Sequence, residues 1–334
     1  MRRRDFITLV GGAAAGWPVA MRAQEPGRIY RLGALQLSPR SLPNHVAFYA
    51  ELQRLGFIEG QNLVVDERGY GLHVEELADH AAEIVKAQVD AILATGDSPI
   101  RAAQQATTTI PILAFTDDML ASKFVSSLAK PSGNITGVSI FGTELDVKRQ
   151  DILIEAVPGL RRMAALADSS TTSPRQLQTQ QDAARTRGVE LSIYEVIKPN
   201  EIAAAIDAAK KADAAALNVL ASPFLFAARQ VIMERATALR LPAMYHWPEV
   251  AEQGGLLGYG PRLVLIYREM LARQMVSLLR GIKPGDIPVE QPTKFELVIN
   301  LTTAKALGVT IPPALIARAD EVFCCHAQRL FSIG

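Results

Sequence analysis

The sequence predicts an α/β protein of two Rossmann-like lobes, each a parallel sheet flanked by helices, joined by a hinge of several strands. Three observations carry this expectation. Short apolar runs alternate with amphipathic stretches of helical period along the whole chain, which is the pattern of right-handed βαβ units. The 334 residues exceed the roughly 100–200 of a usual single domain, so two cores can form. Hydrophobic residues make up 49% of the chain and aromatics only 6%, so aliphatic side chains dominate and suit a sheet buried on both faces.

The first block opens with a strand over residues 29–37, followed by a helix over 43–55 with Val46, Tyr49, Ala50 and Leu52 on its apolar face. Gly56 fits the C-cap, where a left-handed residue is wanted. A short strand over 62–67, a helix over 74–86, a strand over 89–94, a helix over 99–107 and a strand over 110–115 continue the alternation. The second block runs strand 135–141, helix 145–156, strand 162–167, helix 175–187, strand 190–196, helix 200–212, strand 214–220 and helix 225–239. Strands over 242–246 and 254–259, a long helix over 262–280, a strand over 295–300 and a short helix over 302–307 complete it. The expected division is a leader over 1–23, a first lobe over 24–141, a second over 142–246, a return segment over 247–322 lying mainly in the first lobe with hinge crossings, and a tail over 323–334.

The leader has the three zones of an export signal. Arg2, Arg3 and Arg4 form a basic start, residues 7–20 are apolar and rich in small side chains, and Ala23 stands before a polar turn in composition. The order Arg3-Arg4-Asp5-Phe6-Ile7 resembles the twin-arginine signal, with an ordinary secretory signal as the alternative. Cleavage is expected at or near Ala23, although Met21 is large for its place in an A-x-A site. Removing residues 1–23 takes four of 35 basic and one of 34 acidic side chains, leaving a formal charge of about −2. The basic excess thus belongs to the leader, and a nucleic-acid partner is not expected. The rest of the chain has no apolar run of spanning length, and a soluble monomer is expected.

In open parallel sheets, ligands sit beyond the carboxyl ends of strands. The candidate contacts come from those loops. They are Gln36 and Ser38 after the first strand, Thr95, Gly96, Asp97 and Ser98 after the third, and Thr116 and Asp117 after the fourth. In the second block Ser169, Thr171, Thr172 and Ser222 hold the matching places. Hydroxyls and helix N–H groups there can bind a carboxylate, and Asp97 or Asp117 can pair with an amine. The same residue types also cap helices or sit in solvated loops, and both readings stand. Phe141, Tyr245 and Tyr259 lie near strand ends where a ring could stack on a flat ligand, while Phe224 and Trp247 read equally well as core. His45, His73, His80, His246 and His326 are scattered, and Cys324 and Cys325 are adjacent, so neither a metal site nor a cofactor is expected. No nucleophile–base–orienter set can be assembled, so an enzyme is not expected, although an exported α/β enzyme or a sensing subunit could use the same cleft.

Several strings along this path resemble the type I periplasmic solute-binding proteins of ABC transporters, and within them the tryptophan/tyrosine-type substrate-binding subfamily. They are Arg3-Arg4-Asp5-Phe6-Ile7-Thr8 with Gly11-Gly12-Ala13-Ala14-Ala15, Leu55-Gly56-Phe57-Ile58-Glu59-Gly60-Gln61-Asn62-Leu63, and Leu128-Ala129-Lys130-Pro131-Ser132-Gly133-Asn134-Ile135-Thr136-Gly137. The most specific is Gln291-Pro292-Thr293-Lys294-Phe295-Glu296-Leu297-Val298-Ile299-Asn300-Leu301, continued by Thr303-Ala304-Lys305-Ala306-Leu307-Gly308. The resemblance implies a small organic ligand, an amino acid or an aromatic acid, held between the lobes in the periplasm. It also implies delivery to an ABC permease in the inner membrane. Two departures stand out: Asp97 where small residues are commoner, and a tail that continues through Phe323-Cys324-Cys325-His326 to Gly334.

Overall fold

A computed structural model describes residues 27–140, 142–324 and 329–331. The leader, Phe141 and Cys325 lie outside the described residues.

The first sheet has the order β2-β1-β3-β4-β5 and is parallel throughout. Its strands are β1 (Tyr30–Leu35), β2 (Leu63–Val65), β3 (Ala91–Thr95), β4 (Ile112–Thr116) and β5 (Ile135–Ser139). The connecting helices are α1 (Pro43–Arg54), α2 (Leu77–Lys86) and α3 (Asp97–Ala106). Strands β3, β4 and β5 are buried at every residue, as expected for a sheet covered on both faces. Gly137 in β5 has φ +147°, and a Cβ there would lie 1.8 Å from the Ala114 carbonyl oxygen. Only glycine lets β4 and β5 approach this closely.

The second lobe follows with α4 (Gly142–Ala156), β6 (Arg162–Asp168), α5 (Pro174–Thr186), β7 (Glu190–Val196), α6 (Pro199–Lys211) and β8 (Leu217–Val219). Helices α7 (Pro223–Ala227) and α8 (Arg229–Ala238), β9 (Ala243–Tyr245), α9 (Pro248–Glu252) and β10 (Leu257–Gly260) come next. The sheet closes with β11 (Glu296–Asn300), β12 (Glu321–Phe323) and β13 (Arg329–Phe331), in the order β13-β12-β11-β10-β9-β8-β6-β7. It is mixed rather than parallel throughout, because β10/β11 and β12/β13 pair antiparallel. The short helices α12 (Leu301–Leu307) and α13 (Pro313–Ile316) connect β11 to β12.

The return segment is divided, which corrects its expected place mainly in the first lobe. Strands β10, β11 and β12 all join the second sheet. The first lobe receives α10 (Leu263–Leu265), a π-helical turn over Ile266–Leu271, α11 (Ala272–Leu279) and the extended chain to Glu290. This helical stretch packs along α1. The extended chain runs beside β5: Thr136 Oγ1 donates to the Ile287 carbonyl at 2.6 Å, and Ser139 N donates to the Glu290 carbonyl at 3.0 Å. The physical reason is register. Leu297 and Ile299 enter one core, Val298 is buried on the opposite face of the strand, and all three pair with the β10 backbone, so the string around them must stay in the second sheet.

The chain therefore passes between lobes at residues 139–142, 260–263 and 290–296. Two arginines, one buried and one partly buried, tie these crossings to the second lobe. Arg149, fully buried on α4, donates to the carbonyls of Tyr259 at 2.7 Å and His246 at 3.0 Å, and to Asp146 at 2.7 Å. Arg262 pairs with Glu252, with Glu296 at 2.5 Å and with Glu321 at 3.2 Å.

Candidate functional site

A cleft of about 420 Å³ lies between the lobes, at the carboxyl ends of strands from both sheets. Its volume is within the range of small-molecule sites. From the first lobe come Ser38, Asn44, Thr95, Gly96, Asp97, Phe115, Thr116, Asp117, Asp118, Ser122 and Tyr267. From the second come Thr171, Ser173, Arg175, Gln176, Ser222, Pro223, Phe226, His246 and Trp247. The lobes almost touch at Gly96, whose φ is +90° and where a Cβ would lie 3.1 Å from Pro223 Cγ.

The first-lobe wall is acidic. Asp97 opens α3, and its two oxygens accept from the hydroxyls of Thr116 and, at 2.5 Å, Ser122. It therefore braces the loop after β4 against α3. Asp118 is occupied locally, with Oδ1 accepting from the Leu120 and Ala121 N–H groups at 2.9 and 3.0 Å. Asp117 is different: among the described side chains and N–H groups none donates a hydrogen bond to its carboxyl. Burial, with Asp146, Asp97 and Asp118 nearby, pushes it up to about 8 against the opposing pull of Arg149. It packs on the hinge, where a Cβ at Gly142 would lie 2.5 Å from its Cγ.

The second-lobe wall offers donors and a cation. Ser173 caps α5, its Oγ accepting from Gln176 N at 3.2 Å, and Arg175 projects from the first turn of that helix. Ser222 donates to buried Asp168 at 2.6 Å and caps α7 by accepting from Phe224 N and Leu225 N. Gln176 Nε2 donates to Asp146 at 2.8 Å, joining the cleft to the Arg149 pair at the hinge. Burial and the neighbouring Arg149 and Arg229 hold His246 well below the usual imidazole range, so it is neutral.

Aromatic rings line the rest. Phe115 lies 6.3 Å from Trp247 across the cleft and 5.7 Å from Tyr267. Phe226 and Trp247 both pack edge-on to His246. Tyr267 is fully buried, shares a hydrogen bond of 3.1 Å with Thr95 Oγ1, and is also bonded by the Asn44 side chain. Burial pushes its phenol up to about 12.

Of the expected contacts, Ser38, Thr95, Gly96, Asp97, Thr116, Asp117, Thr171 and Ser222 line the cleft. The others named in the described region do not. Gln36 is fully buried and donates to the Leu93 carbonyl at 3.1 Å. Ser98 lies one residue too far into α3. Ser169 is exposed and its N–H serves the Val196 carbonyl, while Thr172 is buried behind the lining. Tyr245 is 2% exposed inside the core, because β9 reaches the cleft one residue later, at His246. Tyr259 packs against the core beneath α4 and stacks on Phe295 at 6.5 Å. Phe141 lies outside the described residues.

Sequence reasoning missed Asn44, Phe115, Arg175, Gln176, Phe226, His246 and Tyr267. Arg175 and Gln176 had a usable signal, since Ser173-Pro174 marks a helix start opening toward strand ends. Tyr267 had none, because it comes from a distant helix and its orientation depends on the π turn. Among the described residues no group of three or more His, Cys, Asp or Glu could hold a metal ion.

Two α/β lobes joined by three chain crossings and facing each other across a cleft make up the type I two-lobed fold. The chain belongs to the ABC transporter substrate binding protein family, whose model matches residues 45–323. It is a substrate-binding protein that captures a small molecule for such a transporter. A tyrosine-binding protein of Clostridioides difficile (strain R20291) is 25% identical over 269 residues, covering 78% of this chain and 75% of that one. Among solved structures, a conserved domain protein from Vibrio cholerae is 22% identical, with a TM-score of 0.79 over 88% of this chain and all of that one. An ABC domain from Streptococcus pneumoniae in complex with L-Trp is 24% identical, with a TM-score of 0.75 over the same shares. The ligand-free, open form of a substrate binding protein with adhesive properties from Clostridium difficile is 21% identical, with a TM-score of 0.57 over 85% and 97%.

Proposed function

We propose that this protein captures an α-amino acid with an aromatic side chain in the periplasm and hands it to an ABC permease of the inner membrane. The observation that carries this reading is the split of charge across the cleft. Asp97, Asp117 and Asp118 stand on the first lobe and Arg175 on the second, with Phe115, Phe226, Trp247 and Tyr267 between. A zwitterion fits this split, with its ammonium toward Asp117 and its carboxylate toward Arg175 and the N-terminus of α5. Bridging the two walls stabilises the closed form over the open one, so the ligand itself shifts the population. The names of the tyrosine-binding relative and the L-Trp-bound neighbour agree with this ligand class. The chemistry asked of the cleft is binding, with no covalent step. The leader is the export signal in this reading, and Arg3-Arg4 directs it to the twin-arginine route.

The test is a thermal-shift panel on the chain lacking residues 1–23. L-tryptophan, L-tyrosine and L-phenylalanine are compared with tryptamine, which lacks the carboxylate, and indole-3-propionate, which lacks the amine. A ligand at about 100 times its Kd adds about 2.7 kcal/mol of stability. Only the intact amino acids are expected to shift the melt. Equal shifts by tryptamine or indole-3-propionate would sink the two-ended reading.

A further inference from the structure

We propose that ligand capture in this cleft is coupled to loss of one proton from Asp117, so that affinity for an ammonium-bearing ligand rises with pH. The inference rests on the amino-acid reading above and adds a property to it.

The geometry around Asp117 favours a protonated carboxyl in the empty protein. Its own lobe presents Asp97 from α3 and Asp118 from the next position in the chain. The opposing helix α4 presents Asp146, together with Arg149. Each nitrogen of that arginine already donates elsewhere, to Asp146 and to the carbonyls of Tyr259 and His246. His246 is neutral, and the Thr116 and Ser122 hydroxyls are committed to Asp97. Asp117 thus lacks a donor among the described residues, faces three carboxylates, and meets one cation whose charge is shared elsewhere. Two close carboxylates seldom ionise together in a partly dry site.

An ammonium entering the cleft supplies the missing charge and donors. The Asp117 O–H bond breaks, its proton goes to solvent buffer, and the carboxylate accepts an N–H from the ligand. The ligand keeps its own proton, so the step releases about one proton per molecule bound wherever Asp117 was protonated. Raising the pH removes this cost. With the carboxyl at about 8, apparent affinity climbs below that pH and levels off above it.

Isothermal titration of the chain lacking residues 1–23 with L-tryptophan, and separately L-tyrosine, tests the proposal. At about pH 6.5, titrations in phosphate and in imidazole buffer should give enthalpies that differ by the buffers' ionisation heats times about one proton released. Across about pH 5.5–7.5 the association constant should rise by close to tenfold per unit. Asp117→Asn should bind weakly, with no proton release and a flat profile. Asp97→Asn removes one repelling carboxylate, so the midpoint of its binding profile should move to lower pH. A flat profile with no proton release in the parent chain overturns the coupling and leaves the amino-acid reading intact. The same slope in Asp117→Asn assigns the proton to another group and also overturns it. If neither amino acid binds at any pH tested, the amino-acid reading falls and the coupling falls with it.

Discussion

Asp97 and Asp117 look alike in the sequence, each an acid at the end of a buried strand, and the structure gives them different work. Asp97 is saturated by two hydroxyls and holds the rim of the cleft, whereas Asp117 faces the cleft without a donor among the described residues. A stability prediction follows for Asp117 in the absence of ligand. Its folded value of about 8 exceeds the ordinary carboxyl value of about 3.9, so between these limits the folded state holds a proton that the unfolded chain has lost. Stability from this group is therefore full below about pH 4 and declines as pH rises toward about 8. Urea melts of the parent and Asp117→Asn should diverge over that interval, with the variant gaining on the parent as pH rises. On the opposite wall, Arg175→Ala should weaken binding of L-tryptophan by about tenfold or more, since hydrogen bonds to charged groups contribute roughly 1.5–3 kcal/mol. It should leave the melt of the empty protein almost unchanged, because Arg175 is exposed. Calorimetry on the same samples reads both quantities.

At the scale of elements, the loops that end β3, β4 and β8 place their polar residues at the cleft much as the strand pattern implies. Those loops are legible because a strand end fixes where its next residues stand. Tyr245 and Tyr259 were not legible to the same degree. Their side chains follow the alternation of β9 and β10, and a shift of one residue turns a cleft ring into a core ring. The helix over 262–280 was visible from its period, but the π turn within it was not, and that turn carries Tyr267 against Thr95. The return segment was misplaced because strand pattern alone does not say which sheet a strand joins. Gly137 shows how strict such pairings are. Gly137→Ala should cost about 1–3 kcal/mol from overpacking, before backbone strain at φ +147° is added. A clear drop in melting temperature is expected, and an unchanged melt would contradict the β4–β5 contact described above.

The whole molecule joins its lobes through more than a hinge. One apolar cluster runs from Leu93 and Phe115 through Trp247 and Tyr245 to Leu166, so both lobes share a core. A single cooperative unfolding transition is expected by calorimetry, with two separate transitions as the contrary result. The division of the return segment also governs the order in which the chain can be assembled. Helix α1 takes part of its cover from α10, the π turn and α11, and the edge of β5 away from β4 pairs with the chain leading to Glu290. The first lobe begins at the start of the chain but cannot close until nearly all of it has left the ribosome. Until then the face of α1 that meets those helices stays bare and offers newly made protein a greasy handle for a chaperone to hold.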